Sequence, residues 1–127
     1  MTGHAAPRVL VLGLDPFRVP GPWDPAPVAA AIEEGRRRFA EHGVAVEYCL
    51  VGLDGGDDVE AVVADRLGAR DWGCVVVGGG IRTDDDLFER VLNLVHHRAP
   101  GAAIALGDSP TGTYDAAARW LPEPGTA

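Results

Sequence analysis

Apolar residues in this chain fall into two alternating patterns: short unbroken runs, and longer stretches in which they recur every three or four positions. The first run, Arg8 to Leu14, reads Arg-Val-Leu-Val-Leu-Gly-Leu. A run without polar alternation predicts a strand covered on both faces, as in a parallel sheet flanked by helices. Similar runs lie at Val44 to Val51, Gly73 to Val77 and Ala102 to Leu106. Glu47 and Tyr48 interrupt the second of these, which points to an edge position.

The stretches between them have helical spacing. Val28, Ile32, Gly35 and Phe39 share one face of a helix running from about Ala26 to His42 and ended by Gly43. Val59, Val62, Val63 and Leu67 mark a second helix, capped by Asp57 or Asp58. Leu87, Phe88, Val91, Leu92 and Val95 mark a third, with Thr83 or Asp84 as N-cap and Ala99-Pro100-Gly101 as its stop. A fourth covers about Thr113 to Leu121, and residues 122–127 are expected to fray. Asp15 to Pro25 contains four prolines and is expected to be a non-helical loop.

Four strand–helix pairs in 127 residues predict one α/β domain with parallel strands and right-handed crossovers. The simplest arrangement is an open four-stranded sheet of order 2-1-3-4 with helices on both faces. This is a flavodoxin-like, Rossmann-like three-layer sandwich without a fifth strand. Its switch point lies between strands one and three, where ligands bind outside the carboxyl ends of the strands. The loops that meet there begin at Asp15, Gly52, Gly78 and Gly107.

The formal charge of -8 argues against nucleic acid or an anionic membrane as partner, since both need a basic surface. Arg36-Arg37-Arg38 sits beside Glu33, Glu34 and Glu41, which predicts local ion pairs on a solvated face. All basic residues are arginine, so lysine chemistry is excluded. No apolar run is long enough to span a bilayer, and Met1 to Arg8 lacks the apolar core of a secretion signal, so a cytoplasmic location is expected. Cys49 and Cys74 fall in strands that flank a common neighbour, too far apart for a disulfide, and are expected to be buried thiols.

Candidate chemistry concentrates where the third strand empties into Gly78-Gly79-Gly80-Ile81-Arg82-Thr83. Backbone without side chains approaches a ligand closely, and a following helix offers N–H groups to an anion. Gly78, Gly79, Gly80, Ile81 and Thr83 are therefore ligand-binding positions, with Arg82 as a forked cation for carboxylate or phosphate. The alternative is a tight turn that packs the next helix on the sheet, with Arg82 paired to a nearby carboxylate. Asp84, Asp85 and Asp86 disfavour a phosphate and suit a capping turn. Asp15, directly after strand one, is either a base or an Asx-turn. Asp108 and Ser109, after strand four, carry the same two readings.

No histidine lies in these loops, so a Ser-His-Asp triad is not expected, and no metal-ligand spacing is present. His96 and His97 fit the end of helix three. Trp23 and Phe17 would either cover the crevice or pin their own loop.

Gly13-Leu14-Asp15-Pro16, Val76 to Arg82, and Asn93 with His96 resemble motifs of an uncharacterised family of small bacterial α/β proteins. That resemblance implies a fold and leaves activity open. Gly78 to Thr83 with Asp85 is also similar to the third-strand loop of the phosphate-binding barrels of histidine biosynthesis, which implies an anion. Receiver domains look like the same topology with one more strand–helix unit, but their acidic pair and lysine have no counterpart here.

The leading expectation is a protein that binds an anionic small metabolite through these residues. If it is an enzyme, cofactor-independent acid/base chemistry of isomerase, cyclase or lyase type is expected, with Asp15, Arg82 and Asp108 as catalytic residues. A second reading is a non-catalytic assembly or regulatory module, a homodimer with Leu87 and Leu94 in its interface. A third is a flavin or nucleotide carrier. No cofactor is required by the first.

Overall fold

A computed structural model of the chain describes residues 7–122; the expected tail beyond Pro122 and most of the segment before Arg8 lie outside the described residues. The four strands are β1 (Arg8–Leu14), β2 (Ala45–Val51), β3 (Cys74–Val77) and β4 (Ala103–Leu106). They form one parallel sheet in the order β2-β1-β3-β4, with β2 at an edge as its mixed composition predicts. Helices α1 (Ala26–Glu41), α2 (Val59–Gly68), α3 (Gly79–Arg82), α4 (Asp85–Arg98) and α5 (Thr113–Ala118) complete the α/β fold.

Strand alternation divides the core into two layers. Leu10, Leu12, Val75 and Val77 face α2 and α4, where Val63, Leu67, Val91 and Val95 close over them. Val9, Val11, Cys74 and Val76 face α1 and α5, meeting Phe39, Ala116 and Ala117. Each fully buried Val or Leu contributes about 1.5–3 kcal/mol relative to exposure, so the two layers together make the sheet two-sided. Cys49 belongs to the first layer and Cys74 to the second, so sheet backbone separates the two buried thiols. Burial pushes the Cys49 thiol up and raises that of Cys74 to about 11.

The helix ends follow local chemistry. Asp58 caps α2 by accepting from Ala61 N, and Asp84 caps α4 by accepting from Leu87 N. Gly43 takes a φ of 68° just beyond α1, a left-handed conformation that costs a side-chain-bearing residue more. Trp72 donates its indole N–H to Leu67 O at 3.1 Å, satisfying a carbonyl at the end of α2.

One alternative is decided and two expectations are corrected. The glycine run takes the tight-turn alternative: after Gly78, which caps it, Gly79–Arg82 forms a single helical turn. The proline-rich segment is not wholly irregular, because Pro16–Arg18 makes a 3-10 turn with Pro at its first position, where no N–H is needed. The last helix ends at Ala118, and a 3-10 turn at Pro110–Gly112 precedes it.

Candidate functional site

The site originates in a row of glycines. In the register of the sheet Val11 lies beside Val76, and Val76 beside Ala105, so one pleat further on Gly13, Gly78 and Gly107 follow on the same face. The ladder continues through this row, with Gly78 N donating to Leu12 O at 2.8 Å and Gly107 N to Val77 O at 3.0 Å. The face turned to α1 is thus filled by Val11, Val76 and Ala105 in one layer and has no side chains from these three strands in the next. Thr113 closes over Gly107, its Cγ2 lying 3.8 Å from where a Cβ on Gly107 would stand. Beside Gly13 and Gly78 a crevice stays open.

This crevice has a volume of about 340 Å3 and lies at the switch point between β1 and β3. Val11 and Leu50 form its floor, and Val28 and Ile32 of α1 form its wall. Pro16, Val19 and Trp23 lie along its mouth, with the Trp23 indole donating to Val19 O at 3.1 Å. The proline-rich segment thus borders the opening, whereas Phe17 is 67% exposed and is not among the lining residues.

Two hydroxyls meet on the polar side. Tyr48 Oη and Thr113 Oγ1 are 3.1 Å apart, and both residues line the crevice. Thr113 is buried and its Oγ1 also donates to Pro110 O at 3.4 Å. The Arg36 guanidinium covers the Tyr48 ring at 4.4 Å, and the Phe39 ring meets it edge-on. Burial pushes the Tyr48 phenol above its ordinary range, so it is protonated at neutral pH.

The residues singled out from the sequence separate into two groups. Gly78, Gly79, Gly80, Asp108 and Ser109 line the crevice. Asp15, Ile81, Arg82 and Thr83 serve the surrounding structure. Asp15 accepts from Phe17 N at 3.0 Å and caps the 3-10 turn, the Asx-turn alternative. Ile81 is fully buried in the core layer beneath α2 and α4. Arg82 donates through Nη2 to Gly107 O at 2.7 Å, tying α3 to the end of β4, and its buried Nε has no partner among the described residues. Thr83 Oγ1 donates to Gly80 O at 2.8 Å on the surface.

Tyr48 and Thr113 were not singled out by the sequence patterns. The signal for Tyr48 was its alternation with Leu50 on a strand bound for the α1 face. The glycine at the same pleat of three strands was the signal for the crevice itself.

The mouth segment is fastened by Arg18. Its guanidinium bridges Asp54 and Asp57 at 3.1 and 2.9 Å, and Asp57 also accepts from Gly52 N. Arg18 O accepts from Leu53 N at 2.9 Å. A Cβ on Gly52 would stand 2.7 Å from the Arg18 guanidinium, so this glycine makes room for the clamp. Hydrogen bonds with Arg18 and with the Gly56 backbone hold Asp54 below the usual carboxylate range. Asp57 is lowered by its bonds with Gly52 N and Arg18.

Fold and site together define a doubly wound parallel α/β protein with an apolar crevice at its switch point. No protein-family model, curated protein or solved structure matches the chain.

Proposed function

We propose that the protein binds a small, largely apolar molecule in the crevice between α1 and the carboxyl ends of β1 and β3, and that it does so in the cytoplasm. The crevice itself carries this reading. Its size falls at the small end of ligand pockets, and an apolar lining with a few placed polar groups is how such pockets hold their ligands. Among the described residues Asp108 is the only charged residue in that lining.

That charge balance separates this reading from the anionic metabolite expected from the Gly-Gly-Gly-Ile-Arg run. Arg82 is engaged with Gly107 O, and a carboxylate stands at the rim. A phosphate of a flavin or nucleotide would meet no cationic side chain in the lining. Among the described residues Asp108 is also the one carboxylate in the lining that acid/base chemistry on a bound ligand could use.

Indane, a neutral bicyclic hydrocarbon, tests the reading. Titration into 15N-labelled protein should shift the amides of Val11, Gly13, Ile32, Tyr48 and Gly79. Val28→Trp, which fills the crevice from α1, should abolish those shifts. Absence of shifts at saturating indane and at saturating 2-indanol, its alcohol, or shifts confined elsewhere, rejects it.

A further inference from the structure

The hydroxyl pair gives the crevice a direction of hydrogen bonding. Thr113 Oγ1 carries one proton, and Pro110 O, 3.4 Å away, can only accept. With that proton directed at Pro110, the contact between Tyr48 and Thr113 requires Tyr48 to donate. The chain therefore runs from Tyr48 O–H to Thr113 O–H to the Pro110 carbonyl. Both protons are then in use, and among the described residues no donor claims the lone pairs of Tyr48 Oη. Asp108, as a carboxylate, likewise only accepts.

Resting on the crevice as the ligand site, we propose that its ligand is an apolar alcohol or amine whose O–H or N–H donates to Tyr48 Oη. Tyr48 is the specificity-determining residue, and Thr113 is a positioning residue whose Oγ1 accepts the phenol's hydrogen bond. At Tyr48 Oη an ether or ketone of the same shape offers no proton and would face lone pairs. A carboxylate would meet Asp108 with like charge and gains no cation in return.

The mechanism predicts an inversion as well as a loss. With Thr113→Val, Tyr48 has no internal acceptor, so its proton turns to the ligand and an ether oxygen becomes a partner. With Tyr48→Phe, both preferences vanish.

Four probes of one body separate these cases: indane, 2-indanol, 2-methoxyindane and indane-2-carboxylate, titrated by NMR. Wild-type protein should bind 2-indanol about threefold to tenfold more tightly than indane, the worth of one net hydrogen bond. The methoxy compound should be no better than indane, and the carboxylate weakest. Tyr48→Phe should equalise indane and 2-indanol, and Thr113→Val should raise affinity for the methoxy compound, each with a wild-type-like amide spectrum. Should Thr113→Val lose that spectrum, Thr113→Ser, which keeps the hydroxyl, must retain the wild-type order of affinities.

Equal binding of indane and 2-indanol by the wild type, preference for the ether or carboxylate, or survival of the alcohol preference in Tyr48→Phe overturns the proposal while leaving the crevice as a binding site. Failure of all four to bind overturns both.

Discussion

Gly35 of α1 packs against Pro110 so closely that a Cβ on Gly35 would stand 2.2 Å from the Pro110 carbonyl oxygen and 2.9 Å from Thr113 Oγ1. No side chain fits there without moving backbone. The helix that walls the crevice is therefore seated directly on the turn that leads into α5.

Gly35→Ala should cost about 1–3 kcal/mol of stability, despite the gain of about 1 kcal/mol in helix propensity. Gly68→Ala is the control, because a Cβ there meets nothing within 4 Å. It should gain about 0.5–1 kcal/mol. Urea unfolding of the two variants checks the contrast, and equal effects would exclude the close seat as the cause.

The Arg18 clamp should make stability depend on acid. Asp54 and Asp57 titrate below their unfolded values when folded, so their contribution is present above about pH 3.9 and is lost as pH falls through the lower folded values. Arg18→Gln should therefore be less stable than wild type at pH 7, with a smaller gap at pH 2.5. Denaturant midpoints at the two values measure this; an unchanged gap would remove the clamp from the account.

Cys74 should act in the opposite direction. Its folded thiol is raised to about 11, so its contribution holds below the unfolded value of about 8.5 and is lost as pH rises through 11. Cys74→Ala should flatten the alkaline fall in stability between those limits, whatever its packing cost at pH 7. Neither thiol should react with a disulfide reagent at pH 8 until the chain unfolds, when two should appear. Formation of an internal disulfide in the native protein would contradict the placement of the cysteines on opposite faces.

The outer edge of β4 carries Ile104 and Leu106, each 37% exposed, and Arg119 donates to Leu106 O at 3.4 Å. A charged side chain over an open edge discourages strand pairing between molecules. Arg119→Ala should increase self-association with concentration in sedimentation. Leu87→Glu, by contrast, should lower stability, because Leu87 packs partly buried against the core.

Most of the fold was legible because strand and helix periods rarely conflict here. The run from Arg8 to Leu14 has one interpretation, and the bounds of β1 match it at both ends. The sheet order followed from four strand–helix repeats. Local chemistry was less decisive at Gly78 to Thr83, where glycine suits both an open loop and the first turn of a helix packed against strand backbone. Gly78 N binds Leu12 O and Ile81 is buried, so tertiary contacts select the turn.

Site residues were harder to read, because their partners lie far away in sequence. Arg82 has a carbonyl partner 25 positions on, and Tyr48 a hydroxyl partner 65 positions on. Spacing along the chain cannot reveal either. The alternation of Val11 with Gly13 was visible, but its meaning needed the register that aligns Gly13 with Gly78 and Gly107.

The seating of Gly35 on Pro110 also bears on the order in which the protein can be finished during synthesis. The floor and wall of the crevice come from the first half of the chain, but the carbonyl that α1 rests on is made 75 residues after Gly35. A ribosome-bound chain that has completed β1, α1 and β2 still lacks the turn that holds α1 in place. The crevice is thus closed only once residue 110 has been made, and a nascent chain that has not reached it cannot present the crevice whole.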